Sequence, residues 1–536
     1  MMTFSLAHYQ INTMLKYILI ATAIVLISGC TTVGDRSITR AYSPVIVDGL
    51  DVSFMGAVIK QGFEEIRERA LYEPSINELF AGALDELGSI GEEASFSIKA
   101  GRIFLRIGED LPIDLGKAPK DDLPLWSRAM IDVVLAARRE SEPFHQAEPE
   151  DFYTAMFNGA LSRLDEFSRY ADRENAARNR LLRDGVIGLG IRVIKADDGA
   201  LVQSIVKDGP AAEVGILIGD MIITANGIML AEKSLPDIRR SLEGRSEGPI
   251  TLTIKRKGEL ELLTIKAQRK LVVPDTVTSQ VVNGVAELHI KSFNQRTALA
   301  VEDALFEAKD EAASGLRGLI LDLRGDPGGL LNQAIKVADL FLEHGSITQL
   351  HGRHPRSNQS YKAVRGDIAD GLPIVIIVDG RAASAAEILT AALQDNHRAI
   401  VIGTVTLGKG SVQTIIRLPN NGEISLTWSR AAAPSGVGLH GLGILPDICL
   451  SGEISPAGEV ISHLFISPNP MVAARPQWLN PPRGSDEEVI SLRRECPAEM
   501  RTNVALDIEV ARRIVSDPEL LRVVTPDRGA QIAIKP

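Results

Sequence analysis

The chain has 536 residues, 45% apolar and 24% charged, with a formal net charge of −11. This length suits about three or four domains of ordinary size, and this composition excludes both a wholly disordered chain and a multi-span membrane protein. With an acidic balance and no dense basic stripe, nucleic acid is not an expected partner, because its phosphate backbone demands concentrated Lys and Arg.

At the N-terminus, Lys16 precedes the apolar run YILIATAIVLISGC, which closes on Ser28, Gly29 and Cys30. The run is shorter than the ~20 residues a membrane-spanning helix needs. A basic flank, a short apolar core and small residues before a cut describe an export signal over 1–29. ISGC also resembles the bacterial lipobox, in which the Cys is acylated and becomes the mature N-terminus. The alternative is an uncut signal anchor, and Met14 is a second candidate start. A chain lipidated at Cys30 is expected on a membrane of the bacterial cell envelope, facing the periplasm, with the remainder soluble. The other two cysteines, Cys449 and Cys496, either pair in an oxidising compartment or stay as separate buried thiols. With no CxxC or HExxH and nine scattered His, no metal site is expected.

Residues 30–184 read as a mostly helical region. SINELFAGALDELGSI and EDFYTAMFNGALSRLDEFSRY look alike, each with an aromatic residue and then GAL, which reflects either a faint duplication or two similar amphipathic helices. Over 185–272 short apolar runs broken by glycine predict a small β-rich module, with one helix in SLPDIRRSLEG. Residues 273–451 alternate strands and helices as an α/β domain does. GVAELHI, LRGLILDLRG, LPIVIIVDG and AIVIG are strands, and SVQTIIRLP and EISLTWSRA form a hairpin around NNG. The C-terminal region, 452–536, has helical spacing in DEEVISLRREC and NVALDIEVARRIV and no catalytic motif.

The stretch GTVTLGKGSVQ satisfies G-x-x-x-x-G-K, yet Gly410 stands where a phosphate loop needs Ser or Thr, and a β-branched run follows instead of a helix. Nucleotide binding is therefore rejected for Lys409. Upstream, Ser384 sits between a buried strand and a helix, among Ala382, Ala383, Ala385 and Ala386. Small neighbours let a substrate backbone approach, and a helix N-terminus favours developing negative charge. Taken alone, such a serine is more often a helix cap. His397, at the exit of the same helix, reads as a surface residue.

DLRGDPGG, ASAAEI, LGKGSVQ and GLGILPDI occur in this order within one α/β pattern. Together they resemble the C-terminal processing peptidases, or tail-specific proteases, which use a serine and a lysine without a catalytic histidine. The family's intervals between nucleophile, base and assisting glutamine are kept by Ser384, Lys409 and Gln413. The resemblance implies a curved sheet of the ClpP/crotonase type and an oxyanion hole built from the N–H of Ala385 and of Gly328 or Gly329. It implies no cofactor. A lysine acts as base only when neutral, and its ordinary pKa is about 10.4, so burial must lower it. Asp395 corresponds to a frequent acidic position of the family, but a carboxylate touching Lys409 would raise its pKa, so Asp395 is expected to be structural or peripheral. The family commonly has serines where Ala382 and Ala386 stand, and often Phe in place of Leu407.

The module over 185–272 resembles a PDZ domain. Gly188, Leu189, Gly190 and Ile191 match the loop that captures a chain-terminal carboxylate, with the peptide added as a strand. The fold expected is thus multidomain α/β: a ClpP/crotonase-like protease core, a preceding PDZ-like module and a helical N-terminal region. The expected partners are proteins or peptides with apolar C-termini and a membrane reached through the lipid; an adaptor and a second copy of the chain stay open. The rival function is a catalytically inactive PDZ scaffold.

Overall fold

The computed structural model describes residues 44–524 apart from 207–208, 245, 313, 468 and 482–485. Cys30 and the export signal lie outside the described residues. The described residues fall into two units, divided between Met55 and Gly56. In the first, Ile46–Val47 and Leu50–Asp51 make a two-stranded antiparallel ribbon around Asp48 and Gly49, both at positive φ.

In the second unit, the helical region holds together through aromatic packing. Phe63 stacks on Phe80 at 4.1 Å between centroids, and Phe80 on Trp126 at 4.9 Å. Helices Ile76–Leu87 and Pro149–Leu161 carry the two GAL sequences, and they meet at those glycines. A Cβ on Gly82 would run into the Gly159 carbonyl, and one on Gly159 into that of Gly82. The repeated motif is therefore a contact in which two backbones approach closely. The region is less helical than its sequence suggests: Ala94–Lys99, Arg102–Ile107 and Ile113–Lys117 form an antiparallel sheet. The period-2 alternation in SFSIK and RIFLRI, joined by Ala100 and Gly101 at positive φ, is the signal for it.

Residues 186–272 form a twisted antiparallel sheet ordered Val186–Gly188, Leu263–Val272, Gly248–Lys255, Met221–Ala225, Gly199–Ile205, Ile191–Ala196. Helix Leu235–Leu242 buries Ile238 and Leu242 in its core, among Leu189, Val193, Ile222 and Leu252. Ile191–Ala196 is the terminal strand.

The α/β core runs β1 (Val277–Val282), β2 (Val285–Ile290), α1 (Thr297–Glu311), β3 (Gly318–Asp322), α2 (Leu331–Leu340), β4 (Ser346–His351), β5 (Gln359–Lys362), β6 (Ile374–Val378), α3 (Ala385–Asp395), β7 (Ala399–Gly403), β8 (Ser411–Arg417), β9 (Glu423–Ala432) and β10 (Ile448–Cys449). One sheet is ordered β1-β2-β3-β6-β7-β10, parallel except for β1. A second, antiparallel sheet is ordered β5-β4-β9-β8, with the short strand Arg169–Ala171 added to β9.

All five residues of β3, β6 and β7 are buried. Strand alternation divides them between two cores. Leu319, Leu321, Ile374, Ile376 and Val401 face α1, α2 and α3. Ile320, Val375, Ile377, Ile400 and Ile402 face the C-terminal region, chiefly Val510, Ala511 and Ile514 of α5 (Val504–Ser516), which follows α4 (Asp486–Arg493). Buried Asp507 of α5 also pairs with Arg324 at 3.0 Å and with Arg501 at 2.8 Å. The C-terminal region is thus the second cover of a sheet that is apolar on both faces. Cys449 and Cys496 are disulfide-bonded, with Cα atoms 5.8 Å apart, and the bond fastens this region to β10.

Gly82→Ala is expected to force the two helices apart and cost about 1–3 kcal/mol. A lower urea midpoint with an unchanged m-value is the check.

Candidate active site

Three loops meet at the C-terminal ends of β3, β6 and β7. The first follows β3 and contains Asp326, Gly328 and Gly329. The second runs from Asp379 to Ser384 and opens α3. The third, Thr404 to Gly410, joins β7 to β8. Backbone bonds tie them together: Ala383 N–H donates to the Asp326 carbonyl at 2.9 Å, and Leu407 N–H to the Ala382 carbonyl at 3.0 Å. Asp379 Oδ1 accepts the Gly325, Arg381 and Ala382 N–H groups.

Ser384 is half-buried at the start of α3, with φ 56° and ψ −114°. A non-glycine residue rarely adopts such a backbone, and strain of this kind persists only where the surroundings over-determine it. Glu387 supplies the determination. Its fully buried carboxylate accepts the Ser384 N–H at 2.7 Å and the Lys409 N–H at 2.8 Å on one oxygen. Its other oxygen accepts the Gly408 N–H at 2.7 Å and the Thr406 hydroxyl. Thr406 Oγ1 in turn accepts the Ile444 N–H, so its own proton is directed at Glu387. Burial pushes the Glu387 carboxyl up, and the donors oppose it. Every contact is a donor, the arrangement an acceptor-only carboxylate requires. Arg493 of α4, bonded to the Thr406 and Leu442 carbonyls at 2.8 and 2.6 Å, supplies countercharge.

Ser384 N–H and Lys409 N–H share a single oxygen, so their nitrogens lie no further apart than those two bonds laid end to end. The Lys409 ammonium position lies 5.1 Å from the centroid of the Phe167 ring. Desolvation lowers the Lys409 pKa, the Arg169 charge lowers it further, and Glu387 and Asp165 oppose both. Asp165, Phe167 and Arg169 come from LDEFSRY, at the end of the helical region. Asp165 orders that turn by accepting the Phe167 and Ser168 N–H groups, and Arg169–Ala171 pairs with β9.

The other residues singled out from sequence fall as follows. Gln413 is on β8, and its Nε2 donates to Ser411 Oγ at 3.0 Å and Thr427 Oγ1 at 3.2 Å. Ala385 is the first residue of α3 and buried. Gly328 lies against the Ser384 turn: a Cβ there would be 2.8 Å from Ser384 Cβ and 2.9 Å from the Ala385 nitrogen. Its N–H is donated to Asp326 Oδ1 at 2.7 Å. Gly329 instead abuts the Phe293 backbone. Asp395 accepts the Ser435 N–H at 3.0 Å and lies 3.6 Å from Arg475. His397 is exposed. In the sheet of residues 186–272, Gly190 has φ 70°, and Leu189 is buried with its carbonyl accepting the Ala211 N–H.

Sequence reasoning missed Glu387 and Arg493, and it placed LSRLDEFSRY, which holds Phe167, in the weaker part of the family resemblance without giving it a role. Glu387 had a local signal, since Ser384-x-x-Glu387 is the capping-box pattern. Arg493 carries no local signal, and the role of the Phe167 segment exists only once distant segments pack.

Comparison with known proteins accords with this architecture. The profile of peptidase family S41 matches residues 284–450, and that of the PDZ domain matches 188–267. The carboxy-terminal-processing protease of Bartonella bacilliformis is 39% identical over 293 residues, covering 54% of this chain and 68% of that protein. A "Probable CtpA-like serine protease" of Staphylococcus epidermidis is 31% identical over 320 residues, covering 58% and 63% respectively. Among solved structures, the photosystem II D1 C-terminal processing protease is similar at 25% identity with a TM-score of 0.34, covering 60% of this chain and 89% of that one. Fold and matches together define a serine-type peptidase that carries a PDZ domain. More particularly, the chain belongs to peptidase family S41 and is of the carboxy-terminal-processing kind.

Glu387→Ala leaves four buried donors without an acceptor and is expected to cost about 3–5 kcal/mol. A fall in the urea midpoint is the check, and Glu387→Gln is expected to fall as well, because its NH2 faces one pair of donors.

Proposed function

We propose that the chain is an exported, lipid-anchored endopeptidase in which Ser384 attacks the peptide carbonyl and neutral Lys409 is the general base. The observation that carries this is the shared oxygen of Glu387, which holds the backbones of nucleophile and base together. Lys409 takes the hydroxyl proton of Ser384 as the C–O bond forms, then returns it to the leaving nitrogen. It next accepts a proton from the water that hydrolyses the acyl-enzyme. The lowered pKa of Lys409 suits this, since an ordinary lysine is almost wholly charged at neutral pH. Gln413 orients the amine through its carbonyl oxygen, its Nε2 being spent on Ser411 and Thr427. Ala385 N–H, at the N-terminus of α3, and Gly328 are the oxyanion donors; Gly328 is preferred to Gly329 because it touches the nucleophile turn.

The PDZ domain selects substrates. A peptide with an apolar C-terminus adds to the terminal strand Ile191–Ala196, beside helix Leu235–Leu242, and its carboxylate meets the Gly188–Ile191 loop. Acylation at Cys30 tethers the enzyme to a membrane of the bacterial envelope, with the protease facing the periplasm.

With β-casein as a loosely folded substrate, Ser384→Ala and Lys409→Ala are each expected to lower kcat/KM by about 10²- to 10⁴-fold. Lys409→Arg is expected to fare no better, because a guanidinium stays protonated. Unimpaired cleavage by either Lys409 variant would sink the assignment of the base. For the wild type, kcat/KM should rise with pH through a single ionisation below the ordinary lysine value, as the amine loses its proton. Cys30→Ser, expressed in bacteria, is expected to move from the membrane to the soluble fraction and to lose incorporation of labelled palmitate.

A further inference from the structure

Asp326 is fully buried, beside the nucleophile turn. Its backbone carbonyl holds the Ala383 N–H, and its Oδ1 holds the Gly328 N–H at 2.7 Å. Its Oδ2 has no partner among the described residues. A buried carboxylate is expected to gather donors on both oxygens, as Glu387 does. With donors on one oxygen only, little offsets the cost of burying the Asp326 charge.

We propose that Asp326 is a positioning residue that governs access to the Gly328 N–H: as a neutral acid it releases this donor to the oxyanion, and as a carboxylate it retains the donor and sets a negative charge beside the developing one. The inference rests on the Ser384–Lys409 reading above. Its physical basis is competition for one hydrogen. A neutral carbonyl oxygen accepts an amide proton weakly and yields it to a charged oxyanion, whereas a carboxylate accepts it about as strongly as the oxyanion would. Like charges at this separation in a buried site also repel.

The charged groups on the neighbouring elements are committed elsewhere. On the same loop, Arg324 is held by Asp322 and Asp507. On the loop before α3, Asp379 accepts three backbone N–H groups, and Arg381 is exposed, with Nη1 3.0 Å from Met500 Sδ. Glu387 on α3 has its own four donors, and Lys409 lies by Phe167. Lys291 and Arg296, flanking the segment that pairs with Gly329, are exposed. Burial is accordingly the main influence on Asp326. It pushes the carboxyl up to about 8, against the pull of the Gly328 N–H.

The sign follows. Lys409 must lose a proton for activity and Asp326 must keep one, so activity is bounded on the acid side by Lys409 and on the alkaline side by Asp326. Asp326→Asn keeps an acceptor for Gly328 and cannot ionise. The test is the pH profile of kcat/KM for β-casein cleavage by the full chain and by Asp326→Asn, with far-UV circular dichroism followed over the same range. Wild-type activity is expected to fall about tenfold per pH unit above the Asp326 ionisation, and Asp326→Asn to keep the acid limb and lose the alkaline one. An alkaline limb shared by both proteins, or none in the wild type, overturns the proposal, as does a folded Asp326→Asn that is inactive throughout. If Asp326→Asn fails to fold, a tripeptide aldehyde, whose hemiacetal mimics the oxyanion, decides on the wild type alone. Its affinity must weaken in the same alkaline range, and an affinity flat there is fatal to the idea. Full activity of Ser384→Ala would instead defeat the Ser-Lys reading, so the two failures are distinct.

Discussion

The buried carboxylate of Glu387 is the constraint on which the site depends. It joins the N-terminus of α3 to the loop between β7 and β8, two segments separated by a helix and a strand. An ionised group with no exposure is costly unless its lone pairs are filled. Here they are filled by the Ser384, Gly408 and Lys409 backbones and the Thr406 hydroxyl, so the cost of burial is offset only when those segments are in place. The strained φ of Ser384 is held by the same bond. Site geometry and local stability are thus one property.

Around this anchor, each neighbouring region contributes one thing. The parallel sheet aims three loops at a common point by ending β3, β6 and β7 side by side, the usual position for a site in such sheets. The helical region supplies Arg169, whose charge disfavours a second positive charge on Lys409, and Phe167, whose ring lies 5.1 Å from the amine. The C-terminal region covers the sheet's second face and delivers Arg493 to the anchor, and the Cys449–Cys496 bond secures it. The segment with no motif of its own is therefore needed for the core to be a closed body.

Two carboxyl groups flank the Ser384 turn in contrasting ways. Glu387 has donors on both oxygens, and Asp326 has one oxygen filled and one empty. Burial pushes both carboxyls up, and Glu387 has four donors against this where Asp326 has one.

The sequence by itself determined much. The order of elements in the core was legible because fully apolar runs such as IVIIV and AIVIG allow only buried strands, and because glycines and NNG punctuate them. The Ser384 and Lys409 loops stood out through motifs and intervals that resemble a known peptidase family, and the β-rich module through its resemblance to a PDZ domain. Local pattern also held clues that went unread, as in the alternation of SFSIK and RIFLRI and the capping box at Glu387. Tertiary structure decided the rest. Which glycine touches Ser384, whether Cys449 meets Cys496, and which aromatic ring lies by Lys409 depend on distances between segments far apart in the chain. Periodicity reports which face of an element is buried, and only packing determines what that face is buried against.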